Sequence, residues 1–117
     1  MIKYRSLIAN AFLALFTTYS QNTSAGEFTS AKVLEWPEAS QNSLFQSSVT
    51  MIGFVAAQTD AHSHIARCIN GWYWKESQAD PARNEAIRSA MRRFPDYHPQ
   101  MVILAVVEKA CGKFGKS

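Results

Sequence analysis

The stretch that most constrains this chain is His98 to Gly112, HPQMVILAVVEKACG. Pro99 suits a first helical position, where its missing N–H costs nothing and its fixed φ is already helical. Met101 to Val107 then runs without a charge. Gly112 follows Cys111 where a helix can end in the left-handed conformation that glycine adopts cheaply. A strand competes on paper, because Val102, Ile103, Val106 and Val107 are β-branched and short apolar runs are ambiguous. The flanking Pro and Gly favour a helix, and the pattern predicts a central buried helix with Val106 inside and a cysteine at its end. The run is far too short to cross a bilayer, which takes roughly 20 apolar residues.

The N-terminus reads as an address. Lys3 and Arg5 precede an apolar run, Leu7 to Phe16, and Thr23-Ser24-Ala25 offers a small residue for cleavage. The expectation is a signal peptide over residues 1–25, a single mature domain over residues 26–117, and a periplasmic location. Removing Lys3 and Arg5 lowers the net charge from +3 to about +1, with signs well mixed. That balance argues against nucleic acid as a partner, and nothing predicts stable membrane insertion of the mature domain.

Export gives the cysteines meaning. Cys68 and Cys111 are the two in the chain, and an oxidising compartment favours pairing them. The bridge would close a loop worth about 4 kcal/mol in the chain-entropy model, a large share for so small a domain. No CxxC spacing favours a metal instead. Asp60, His62 and His64 form a loose DxHxH without a fourth ligand, so no metal and no cofactor is expected.

Several helices follow from periodicity. Phe45, Val49, Ile52 and Ala56 recur at four, three and four residues, with Ser48, Met51 and Val55 widening the face. Ser43 with Gln46 fits a capping box, which predicts a helix over 43–61 that fades before His64. Gly53 sits in its middle at a cost of up to about 1 kcal/mol, which close approach of another helix would explain. Before it, residues 26–39 read as an arm with a helical turn that packs Leu34 and Trp36. Cys68 to Glu76 reads as a connection with Asn70-Gly71 turn chemistry. Asp80 and Pro81 then start a helix to Phe94, with Ile87, Met91 and Phe94 inward. Arg83, Arg88, Arg92 and Arg93 take the wet side, and Glu85 lies within reach of Arg88 and Arg92. The fold class expected is all-α, a small single-domain helical bundle with one disulfide.

Enzyme motifs such as GxSxG and HExxH are missing, and the Glu35/Glu38 pair falls on an exposed arm, so no catalytic residues are assigned and no enzyme is expected. Trp72, Tyr73 and Trp74 stand out as a partner-binding cluster, since rigid aromatics bury large area at interfaces with few torsions to freeze. Sugar stacking is another use. The alternative is that Trp72 and Trp74 turn inward and close the core beside the disulfide.

Gly53-Phe54-Val55 followed by Asp60, then Cys68-Ile69, then His98-Pro99 with Val106 and Cys111, resembles the Tai family of small periplasmic immunity proteins. The resemblance runs from about Leu34 to Gly112. It implies an all-helical homodimer that binds a secreted peptidoglycan amidase effector of a type VI secretion system and blocks its active site. A small periplasmic acid-stress chaperone is the other class that a chain of this kind suggests.

Overall fold

The computed structural model describes residues 28–115; the expected signal peptide lies outside the described residues. Among the described residues Thr29 opens the first helix, α1 (Ser30–Leu34), its hydroxyl accepting from Lys32 N at 3.4 Å. Val33 is fully buried. The arm is fastened to the segment 95–97, more than sixty residues on. Ser30 donates to Tyr97 O through both its N–H (2.8 Å) and its hydroxyl (2.9 Å), and Ala31 N donates to Pro95 O at 2.9 Å.

Helix α2 (Glu38–Ala57) begins five residues before Ser43, the expected cap of a Ser43–Gln46 capping box, and stops short of residue 61. Pro37 holds an extended backbone and Glu38 places a negative charge in the first turn, where the helix dipole favours it. Gln41 ties the junction by donating to Leu34 O (3.2 Å) and Trp36 O (2.9 Å). Phe45, Val49 and Ala56 are buried as expected, Ile52 partly. Met51 and Val55, expected on the inner face, are more than half exposed. At about 3.6 residues per turn they lie well round the helix from the stripe of Phe45, Val49 and Ala56.

A 3-10 turn, Asp60–His62, leads directly into α3 (Ser63–Trp72), a helix absent from the periodicity reading. Asn70-Gly71 therefore lies inside a helix and turns nothing. Ile65, Ile69 and Tyr73 form its buried stripe at intervals of four. A Cβ at Gly53 would meet Ile69 Cγ2 at 3.8 Å, ordinary contact, so the packing of α3 on α2 does not require a glycine. The turn comes later, at Glu76 (φ 52°) and Ser77 (φ 71°), which join the antiparallel pair β1 (Trp74–Lys75) and β2 (Gln78–Ala79).

Helix α4 (Pro81–Arg93) begins as predicted, with Asp80 accepting from Ala82 N at 2.9 Å. Ile87 and Met91 are fully buried. Two assignments on it reverse: Phe94 is 46% exposed, and Arg88 is 8% exposed instead of wet. Helix α5 (Pro99–Cys111) has the predicted bounds. His98 Nδ1 accepts from Gln100 N at 3.1 Å, and Gly112 takes φ 114° while donating to Glu108 O at 2.9 Å. Only one face of α5 is covered. Val102, Ile103 and Val107 are buried, Val106 is half-buried and Met101 is 59% exposed.

The bridge between Cys68 and Cys111 is formed, with Cα atoms 5.5 Å apart, and it fastens α3 to the end of α5. The architecture of the described residues is a small all-α bundle with one disulfide, decorated by a two-stranded hairpin. Among the described residues no helix is long and apolar enough to cross a membrane.

Candidate functional site

The aromatic cluster divides in a way that neither sequence expectation described in full. Tyr73 is fully buried and lies in the core, while Trp72 and Trp74 are half-buried on either side of it. Tyr73 Oη donates to Asn84 Oδ1 at 2.5 Å. Burial outweighs the hydrogen bond and pushes its phenol up to about 12. As a continuation of the Ile65–Ile69 stripe, Tyr73 has no surface to offer a partner. Trp72 is covered on one side by Arg83, whose guanidinium carbon sits 5.2 Å from the ring and whose Nε donates to Trp72 O at 2.8 Å. Trp74 is the member of the trio that borders an open cavity.

That cavity is a cleft of about 540 Å³ between α2, α4 and the hairpin. One wall carries Glu38, Asn42 and Gln46, spaced at four along α2; the other carries Pro81, Asn84, Glu85 and Arg88 of α4. Trp74, Ser77, Gln78 and Ala79 close one end. Arg88 lies between the walls. Its Nε donates to Glu85 Oε2 (3.2 Å), and its two terminal nitrogens both reach Asn42 Oδ1 at 3.2 Å. Glu38 is 3.7 Å away and Gln41 Oε1 accepts at 3.5 Å, while Phe45 offers its ring at 5.5 Å. A guanidinium can be buried here because its donors find acceptors and its face finds a π-cloud.

A second cavity, an apolar groove of about 470 Å³, runs between the end of α4 and the outer face of α5. Phe94, Tyr97, Met101, Ala105 and Val106 line it, with Arg93 and Lys109 at its rim. Phe94 and Tyr97 meet edge to face, 5.6 Å between centroids. Tyr97 is 60% exposed and Met101 59%. Large apolar side chains clustered in the open, ringed by charge, have the anatomy of an interaction surface. The sequence reading placed Phe94 in the core and did not single out Tyr97 or Met101. Their signal was present in the helical phase of α5, since Met101 precedes the buried Val102-Ile103 pair on the opposite side.

His62, like the helix-capping His98, has a structural role. His62 is hydrogen-bonded at both ring nitrogens, to Thr59 Oγ1 (2.9 Å) and Phe114 O (3.0 Å). It thereby holds the C-terminal tail, whose Phe114 N also donates to Glu108 Oε2 at 2.9 Å. Among the described residues no group of three His, Cys, Asp or Glu side chains is placed to hold a metal. Comparison with protein-family models, with curated proteins and with solved structures finds no match for the chain.

Proposed function

We propose that this protein acts in the periplasm as an immunity protein, binding a type VI secretion amidase effector and inhibiting it by occlusion. The observation that carries the reading is the open apolar groove on α4 and α5. Three large side chains stand in solvent: Phe94 at the end of α4, Tyr97 in the link, and Met101 on α5, the helix fastened at its C-terminal end by a disulfide. A pinned helix loses little conformational freedom on association, so its exposed area converts efficiently into affinity. The resemblance in the Gly53–Asp60, Cys68 and His98-Pro99 segments supplies the partner class. The same groove can receive a second copy of the chain, which is how the implied homodimer enters this proposal.

Co-expression with a periplasm-directed amidase from the same genome tests it. The wild type should prevent lysis at neutral pH, and Met101→Asp should abolish protection while the protein stays folded. Lysis with the wild type present would overturn the immunity reading. Suppression of client aggregation confined to acid would replace it with the chaperone class.

A further inference from the structure

The cleft beside Trp74 belongs to a different chemistry from the groove. Arginine has donors and no acceptors, so Asn42 must turn its carbonyl oxygen toward Arg88, where it receives two N–H groups at 3.2 Å. Its Nδ2 then points away from the guanidinium and makes no hydrogen bond among the described residues. Asn84 repeats the arrangement. Its Oδ1 is engaged by Tyr73, and its Nδ2 has no partner among the described residues, although the residue is 94% buried by its 6% exposure. That Nδ2 is not among the fully enclosed unpartnered atoms, so it touches solvent, and Asn84 borders the cleft. Two amide donors are thus fixed in orientation, one on each wall, by groups that are themselves immobilised.

Acceptors stand beside them. Glu85 and Glu38 are held near Arg88 at 3.2 and 3.7 Å, which also offsets part of their charge. Trp74, Ala79 and Pro81 add an apolar border. A wholly apolar ligand would leave the amides and carboxylates desolvated and unpaired, a costly outcome. A strongly anionic ligand would meet two glutamates against one arginine that is already engaged. The complementary molecule is neutral, rich in hydroxyls, with C–H faces for an indole and a carbonyl for the amide donors.

We infer that the cleft between α2, α4 and the hairpin is a binding site for a neutral saccharide bearing an acetamido group. Trp74 packs on a sugar face, Asn42 and Asn84 donate to ring substituents and the acetamido carbonyl, and the acetamido methyl meets Ala79 and Pro81. Glu38 and Glu85 accept from hydroxyls, and Arg88 is a positioning residue that orients Asn42. The site involves neither the groove nor the amidase, so it stands or falls separately from the inhibitor reading.

The test is a titration of the purified protein with tetra-N-acetylchitotetraose, followed by ¹H–¹⁵N spectra. Saturable shifts are expected in the side-chain amides of Asn42 and Asn84 and in the Trp74 indole N–H. Asn42→Asp keeps an oxygen acceptor for Arg88 and removes the donor, so it should weaken binding about tenfold at unchanged melting temperature. If it fails to fold, the exposed Gln46→Ala should weaken binding severalfold. Cellotetraose, which lacks the acetamido group, should bind more weakly. No saturable shift at millimolar chitotetraose, shifts confined to α5, or affinity indifferent to both variants would overturn the proposal. Equal binding of cellotetraose would overturn its acetamido specificity.

Discussion

Along α4, Asn84, Glu85 and Arg88 border the polar cleft, whereas Ala90, Arg93 and Phe94, about one turn further on, border the apolar groove. The cleft is held by directional contacts: a guanidinium, two asparagines and a phenol whose hydrogen bonds fix one another. The groove's side chains make no such network: Phe94 and Tyr97 meet ring to ring, and the hydrogen bonds that hold their link go from Ser30 and Ala31 to its backbone. Side chains in the first region are already occupied at one end and offer the other in a set direction. Those in the second offer area. Directional groups select a ligand by chemistry, and open apolar area supplies affinity to a partner whose shape fits.

The sharpest way to break this contrast uses two positions of α5. Ile103→Asp should abolish folding, because a charge without a partner in the core costs several kcal/mol. Met101→Asp, two residues earlier on the open side, should leave stability within about 0.5 kcal/mol. Thermal melts followed by circular dichroism read both; equal effects would mean that the groove is not solvent-facing.

Removing the bridge comes next. Cys68→Ser with Cys111→Ser should cost about 4 kcal/mol in the chain-entropy model, read by chemical denaturation. The groove should suffer first, because the bridge ties α5 to α3, whereas the cleft walls, α2 and α4, contain neither cysteine.

Tyr73→Phe addresses the cleft. Loss of the phenol leaves a buried Asn84 carbonyl unpaired and should cost about 1–3 kcal/mol. The folded phenol is raised to about 12 from an ordinary 10.0. Its contribution is therefore complete below pH 10 and is lost as pH climbs through 12. Denaturation midpoints of wild type and Tyr73→Phe should converge across that window, with the Asn84 side-chain resonance of the wild type moving as Tyr73 ionises. A constant gap between the two proteins would contradict the burial of Tyr73.

The smallest effect belongs to neither region. Gly53→Ala, with its Cβ in ordinary contact with Ile69, should stabilise the protein by about 0.5–1 kcal/mol, measured as a raised melting temperature. A fall would show that α3 packs closer to α2 than that distance allows.

Where short-range rules act alone, the chain was legible. Asp80-Pro81 and His98-Pro99 set the starts of α4 and α5, and Gly112 sets the end of α5, because caps and termini depend on residues within one turn. The stripe Ile65–Ile69–Tyr73 was as regular as that of α2, yet Asn70-Gly71 and three adjacent aromatics drew attention to a turn. Tertiary burial overrode that weak local preference, and packing on α2 carries α3 through the glycine to Trp72. Ser43 and Gln46 matched a capping box, but a cap requires a helix to begin there, and the turn set by Pro37 had already started one.

What this sequence determined by itself is the all-helical class, the start of α4, both bounds of α5 and the pairing of Cys68 with Cys111, since each follows from local backbone chemistry or from having a single available partner. Tertiary structure alone decided that Tyr73 is core while its neighbouring tryptophans flank it, that Arg88 is buried while Phe94 is exposed, and that the cleft and groove exist. Burial depends on which surfaces meet. On α4 a periodic stripe cannot reveal that α2 presents Asn42 and Gln41 to an arginine, or that Phe94 is left nearly half exposed beside Tyr97.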